Sequence, residues 1–261
     1  MTVKCDLMIL AFAIASVHSV NAVGLSGRLA DAHEAMMDRC AIGAASMESV
    51  LPRPHGVDVR DLGLARYRVL DPTYRWRDRI TATVFWVGEE ARPGNPVSND
   101  KSSWDPYWQQ TFGGFDAPDA RNGYLPIGFY PDQSPFYVAL PFNDIDPSTG
   151  LLREGADHYI PWYWEDYRGP GITVCDGRWV AIRYNGKVCY AQWRDVGPFR
   201  TDDVDYVFGQ NRPLPNRNDD AGIDVSPAVR DFLAIKSGAK VDWRFVDDEE
   251  VAAGPWDAWR Y

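Results

Sequence analysis

Large apolar and polar side chains alternate through RWVAIRY, Arg178 to Tyr184, stop at Asn185-Gly186, and resume in KVCYAQWR. A period of two predicts half-buried strands. Asn-Gly between two such runs predicts a tight hairpin, because both residues tolerate positive φ. The second run leads into Asp195-Val196-Gly197-Pro198-Phe199. Proline offers no N–H and glycine admits a sharp turn, so Asp195 is expected near a strand end. Further on, Ser226-Pro227 precedes AVRDFLAI. Ser226 is a helix cap, Pro227 fits the first turn, and Ala228, Val229, Phe232 and Leu233 mark a buried face. Ser237-Gly238 is the expected stop, and KVDWRFV, Lys240 to Val246, alternates again as a final strand. Asp224, just ahead of the cap, also falls at an element end.

Upstream, Thr81 to Trp86 and Ser134 to Leu140 are strand candidates rich in β-branched and aromatic residues. Two turn-rich excursions interrupt the strands, at about residues 87–133 and 145–174. They carry Trp104, Trp108, Trp162 and Trp164 among other rings. Such rings either present a surface to flat, partly apolar ligands such as sugars or pack within the loops themselves.

Residues 1–22 are expected to be a secretory signal peptide: Lys4, a mainly apolar run from Leu7 to Val17, then small residues at Val20-Asn21-Ala22. The run is too short and interrupted for stable membrane insertion. Residues 23–60 read as a helical or semi-ordered leader and 61–261 as one domain. The expected location is secreted or periplasmic, where disulfides are permitted. Cys175 and Cys189 flank the Arg178 strand and are the candidate bridge. The Asn185-Gly186 turn does not set them opposite each other, so the chain would have to bend back at Asp176-Gly177. Cys40 is left free or as a competing partner. The formal net charge of −10 argues against nucleic acid as a partner. The scattered histidines and aspartates match no metal-site spacing, and no cofactor is implied.

Taken in order, Thr81 to Trp86, Ala139-Leu140-Pro141-Phe142, Asp195-Val196-Gly197-Pro198-Phe199, and Ile223-Asp224-Val225-Ser226 resemble the superfamily of rare lipoprotein A, expansins and family 45 endoglucanases. The resemblance covers roughly Thr81 to Val246. It implies a mainly β fold: a six-stranded double-psi β-barrel with long loop insertions and peripheral helices, crossed by a polysaccharide groove. The aspartate of the Asp-Arg-Gly-Pro-Phe element falls on Asp195, with Val196 replacing the arginine. The aspartate that faces the sugar, and is the general acid in the hydrolases, falls on Asp224. The histidine of the transglycosylase pattern falls on Tyr137. The hydrolase base belongs to the first strand, where this chain offers Trp86 and then Glu89 or Glu90.

These readings combine into one expectation. The chain is an extracellular protein that cleaves a β-linked polysaccharide by carboxylate acid/base chemistry. Asp224 is the acid, and Asp195 or Asp144 the base or charge stabiliser. Trp193, Tyr190, Tyr137, Trp104, Trp162 and Trp164 are the sugar contacts. The rivals are an expansin-like protein that binds or loosens a wall without catalysis, and an interaction domain whose groove is plugged by the excursions.

Overall fold

The computed structural model describes residues 74–93 and 95–260. The signal peptide, the leader, Cys40 and the first residues of the expected domain lie outside the described residues. The strands are β1 (Arg77–Val84), β2 (Arg121–Asn122), β3 (Leu125–Pro126), β4 (Tyr137–Leu140), β5 (Ile145–Asp146), β6 (Leu151–Leu152), β7 (Trp179–Tyr184), β8 (Lys187–Val196), β9 (Ala221–Val225) and β10 (Ala239–Phe245). Six of them close a barrel in the order β1-β10-β7-β8-β4-β9, while β2/β3 and β5/β6 are separate two-stranded pairs in the two excursions. The fold is mainly β, with a few short helices. Among the described residues no helix is long and apolar enough to cross a membrane.

The β7–β8 hairpin follows the expected pattern, with register running from Tyr184↔Lys187 to Trp179↔Gln192. Asn185 and Gly186 sit at φ 46° and 79°, the doubly positive turn that Asn-Gly favours. Strand β4 is a continuous apolar run because both its faces are covered. Val138 and Leu140 join the main cluster with Trp193, Val225 and Trp243. Tyr137 and Ala139 face a second cluster made with Phe85, Val87, Trp108 and Phe112. The 85–136 excursion therefore packs against the outer side of β4. The helix Pro227–Leu233 starts as expected, with the Ser226 hydroxyl accepting from the Val229 N–H at 3.3 Å and donating to the Pro135 carbonyl at 2.7 Å. It ends earlier than Ser237-Gly238: Ala234 turns left-handed at φ 55°, which returns Ile235 to the core.

The cysteine bridge is corrected. Cys175 and Cys189 are both free thiols, and both are buried. The Gly177 N–H donates to the Trp193 carbonyl, while Cys189 stands opposite Ile182. Four strand residues, roughly 13 Å, separate those levels, so the bend at Asp176-Gly177 does not bring the chain back to the level of Cys189.

Candidate functional site

The two motif aspartates are register partners of a single residue. Ala139 in β4 pairs with Asp195 of β8 on one side and with Asp224 of β9 on the other. Cross-strand partners project to the same face, so both carboxyl groups stand on the Ala139 side of the barrel wall, flanking a methyl group. Two bulges set this up. Between Val138↔Trp193 and Ala139↔Asp195 the register skips Arg194. Without that extra residue Asp195 would share the inward face of Trp193; the bulge turns it outward. Between Thr81↔Ala221 and Ala82↔Ile223 the register skips Gly222, leaving Asp224 beside Thr83.

Each carboxyl group is shaped by its neighbours. Burial raises the Asp224 pKa to about 7; the Thr83 hydroxyl, donating to its Oδ1, opposes this, while the charges of Asp195 and Glu89 add to it. Burial raises the Asp195 pKa to about 6, against the Ser103 N–H that donates to its Oδ1 at 2.8 Å. The Gly197 backbone lies against Asp224, since a Cβ there would meet Oδ2 at 3.5 Å. Glu89, raised by burial, pairs with Arg92 at 2.9 Å and accepts from the Asn99 amide at 3.2 Å. Gly88 sets up the Glu89 turn: it has φ 82°, and a Cβ would come within 2.7 Å of the Phe115 ring.

Asp195, Asp224 and Glu89 line one cleft of about 700 Å³, together with Phe199, Lys101 and Arg200. Of the two first-strand alternatives, Glu89 is buried in this cleft and Glu90 is exposed outside it. Phe199 is 42% exposed at its edge and was not among the expected sugar contacts. Its signal lay in the Gly-Pro-Phe turn itself, which carries the ring out at φ 55°.

Several expected site residues lie elsewhere. Asp144 is fully buried and does not line the cleft. It accepts from the Thr173 hydroxyl at 2.8 Å and the Val174 N–H at 2.7 Å, so it anchors the second excursion to the end of β4. Trp193, Tyr137 and Trp162 are core residues with no face for a ligand. Their polar atoms are used internally: Trp193 Nε1 donates to the Asp195 carbonyl and Trp162 Nε1 to the Val174 carbonyl, while the Tyr137 hydroxyl donates to Asp116. Trp104 packs edge-on against Trp193 at 5.4 Å, and Tyr190 packs on Trp256 at 5.3 Å. Trp164 is exposed, held by Tyr163 and Tyr167. None of these six rings lines the cleft. Barrel strands covered on both sides place aromatics inward and outward alike, and composition cannot sort the two.

No family model matches the chain, and no curated protein matches it. Among solved structures the chain is similar to Streptomyces papain inhibitor (SPI), at 14% identity, over 66% of this chain and 96% of that one, with a TM-score of 0.26. At that score the similarity carries no functional argument.

Proposed function

We propose that this protein is an exported double-psi β-barrel enzyme that hydrolyses a β-linked polysaccharide with Asp224 as general acid and Asp195 as general base. The observation that carries the reading is the placement of both aspartates astride Ala139 in one open cleft. The two parallel strand pairs, β1/β9 and β4/β8, in an otherwise antiparallel barrel support the double-psi assignment. Departure of a glycosidic oxygen requires a proton, and Asp224 keeps its proton to about pH 7. Activation of water requires a deprotonated partner, and Asp195 loses its proton first, at about pH 6. Glu89 adds negative charge that favours the protonated form of Asp224. The two aspartates are separated by two strand spacings, roughly 10 Å between α-carbons, which suits the ~6.5–9.5 Å carboxyl separation of inverting enzymes better than the ~5–5.5 Å of retaining ones.

The cleft favours catalysis over an expansin-like binding role. A binding floor needs a row of exposed rings; among the described residues this cleft has Phe85, which is buried, and Phe199. The test is release of reducing ends from neutral β-glucans, acidic glycans and peptidoglycan by the purified protein, with D224N and D195N alongside. Each variant is expected to lose at least ~100-fold in turnover while still binding the substrate. Binding without turnover in the wild type, or turnover untouched by both substitutions, overturns the proposal.

A further inference from the structure

The chain carries 37 acidic against 27 basic residues, yet the cleft collects cations. Arg92, Lys101 and Arg200 line it beside the three carboxyl groups. Arg92 is taken up by Glu89 at 2.9 Å. Among the described residues neither Lys101 nor Arg200 has a carboxylate at ion-pair distance; Lys101 favours the charged form of its neighbour Asp100 and Arg200 that of Asp203, and the Arg200 guanidinium donates to the Pro215 carbonyl at 3.3 Å. A third cation, Arg217, lies over the Phe199 ring at 5.3 Å, without a carboxylate partner among the described residues. An unpaired cation facing a cleft in an acidic protein is an attraction for a negative ligand that the rest of the surface repels. Even with Asp195 ionised and Asp224 protonated, as the proposed mechanism requires, the lining keeps one net positive charge: the Glu89–Arg92 pair cancels, and Lys101 and Arg200 outnumber Asp195.

We propose that the cleft takes a carboxylate-bearing glycan, a uronate-type chain, with Lys101 and Arg200 as the counter-charges to its carboxyl groups. This rests on the reading of the cleft as a glycan site and adds the substrate class. The sugar carboxylates meet the two cations on the open side, while the glycosidic oxygen approaches Asp224 on the floor. Phe199, with Arg217 over it, offers an apolar ring surface in a positive surround, matched to a pyranose bearing one negative group.

The test compares two ligands of one backbone. Cello-oligosaccharides and the same oligosaccharides oxidised at C6 to glucuronate units are titrated calorimetrically into D224N, which blocks turnover, at pH 5.5. The oxidised ligand is expected to bind at least tenfold more tightly. K101Q and R200Q, each added to D224N, are expected to remove several-fold of that preference, and 0.5 M salt to shrink it. Lys101 is exposed, so K101Q tests the assignment without disturbing the fold. Equal or tighter binding of the neutral ligand overturns the uronate inference alone. A uronate preference that survives K101Q and R200Q together removes these residues from the role. Binding of neither ligand overturns the glycan reading and this inference with it.

Discussion

Asp224 answers to two opposed requirements. The proposed acid role needs its proton held to near neutrality, and folding gains nothing from half-burying an ionisable carboxyl. Its folded pKa of about 7 stands above the ordinary 3.8. Between those pH values the folded state binds more protons than the unfolded chain, so stability falls as pH rises from about 4 to about 7 and stays low above that. Asparagine cannot ionise and still accepts from Thr83. D224N is therefore expected to be more stable than the wild type at pH 8 by about 2 kcal/mol, and by no more than about 4, with no gain at pH 4. Thermal unfolding of the two proteins at both pH values measures this, and equal melting at pH 8 would show that the carboxyl is not burdened. The Thr83 hydroxyl favours the charged form. T83V should push the Asp224 pKa up further and move the alkaline limb of the activity profile to higher pH. The acid limb, set by Asp195 losing its proton, should stay within a few tenths of a unit, and a carboxyl-carbon NMR titration would report both groups.

Among the elements, what the sequence made legible was whatever depends on local chemistry. The β7–β8 hairpin, the Ser226 cap and the strand-end positions of both aspartates all follow from residues adjacent to them. The bulges do not. Buried and half-buried positions alternate from Cys189 to Val196, with Cys189, Ala191, Trp193 and Asp195 all buried. Read alone, the strand puts Asp195 on the same face as Trp193. The skipped Arg194 is a property of the pairing with β4, and nothing in β8 announces it. The same holds for Gly222, although a glycine within a strand-like run is a sign of close approach. A Cβ at Gly222 would lie 2.5 Å from both Pro213 Cγ and the Tyr206 hydroxyl, which itself donates to the Gly222 carbonyl at 2.9 Å and accepts from Trp243 Nε1 at 2.7 Å. G222A is expected to cost about 1–3 kcal/mol by crowding this network. Urea unfolding should show a lower midpoint at unchanged slope, and turnover should fall as well, since Gly222 is the extra residue that sets Asp224 beside Thr83. An unaltered midpoint would mean that the glycine is not needed for the bulge.

Across the whole molecule, the cleft depends on the 85–136 excursion, which supplies Glu89, Arg92, Lys101 and the Ser103 N–H that binds Asp195. Its aromatic content was plain in the sequence, but its role was not, because rings that cover a strand and rings that face a ligand share one composition. The excursion is fastened to the barrel through Tyr137, the position where the family resemblance places a histidine. The Tyr137 hydroxyl accepts from the Val87 N–H at 2.9 Å and donates to Asp116 at 2.8 Å; Asp116, whose pKa burial raises, is also paired with Arg121. Val87 and Tyr137 belong to the second cluster, and Asp116 is fully buried beside them. Y137F keeps the ring packing and removes the hydroxyl. It leaves a buried N–H without its acceptor and takes one donor from a buried carboxylate, at an expected cost of about 1–3 kcal/mol. That loss falls on the fastening more than on the barrel, whose strands remain paired. Limited proteolysis should therefore cut Y137F within residues 87–133 several-fold faster than wild type, at temperatures where the barrel's near-UV signal is still native. Turnover should fall in parallel, because the released segment carries the Ser103 N–H away from Asp195. Cleavage that tracks only global unfolding would mean that excursion and barrel melt as one unit, and that the cleft is as rigid as the strands beneath it.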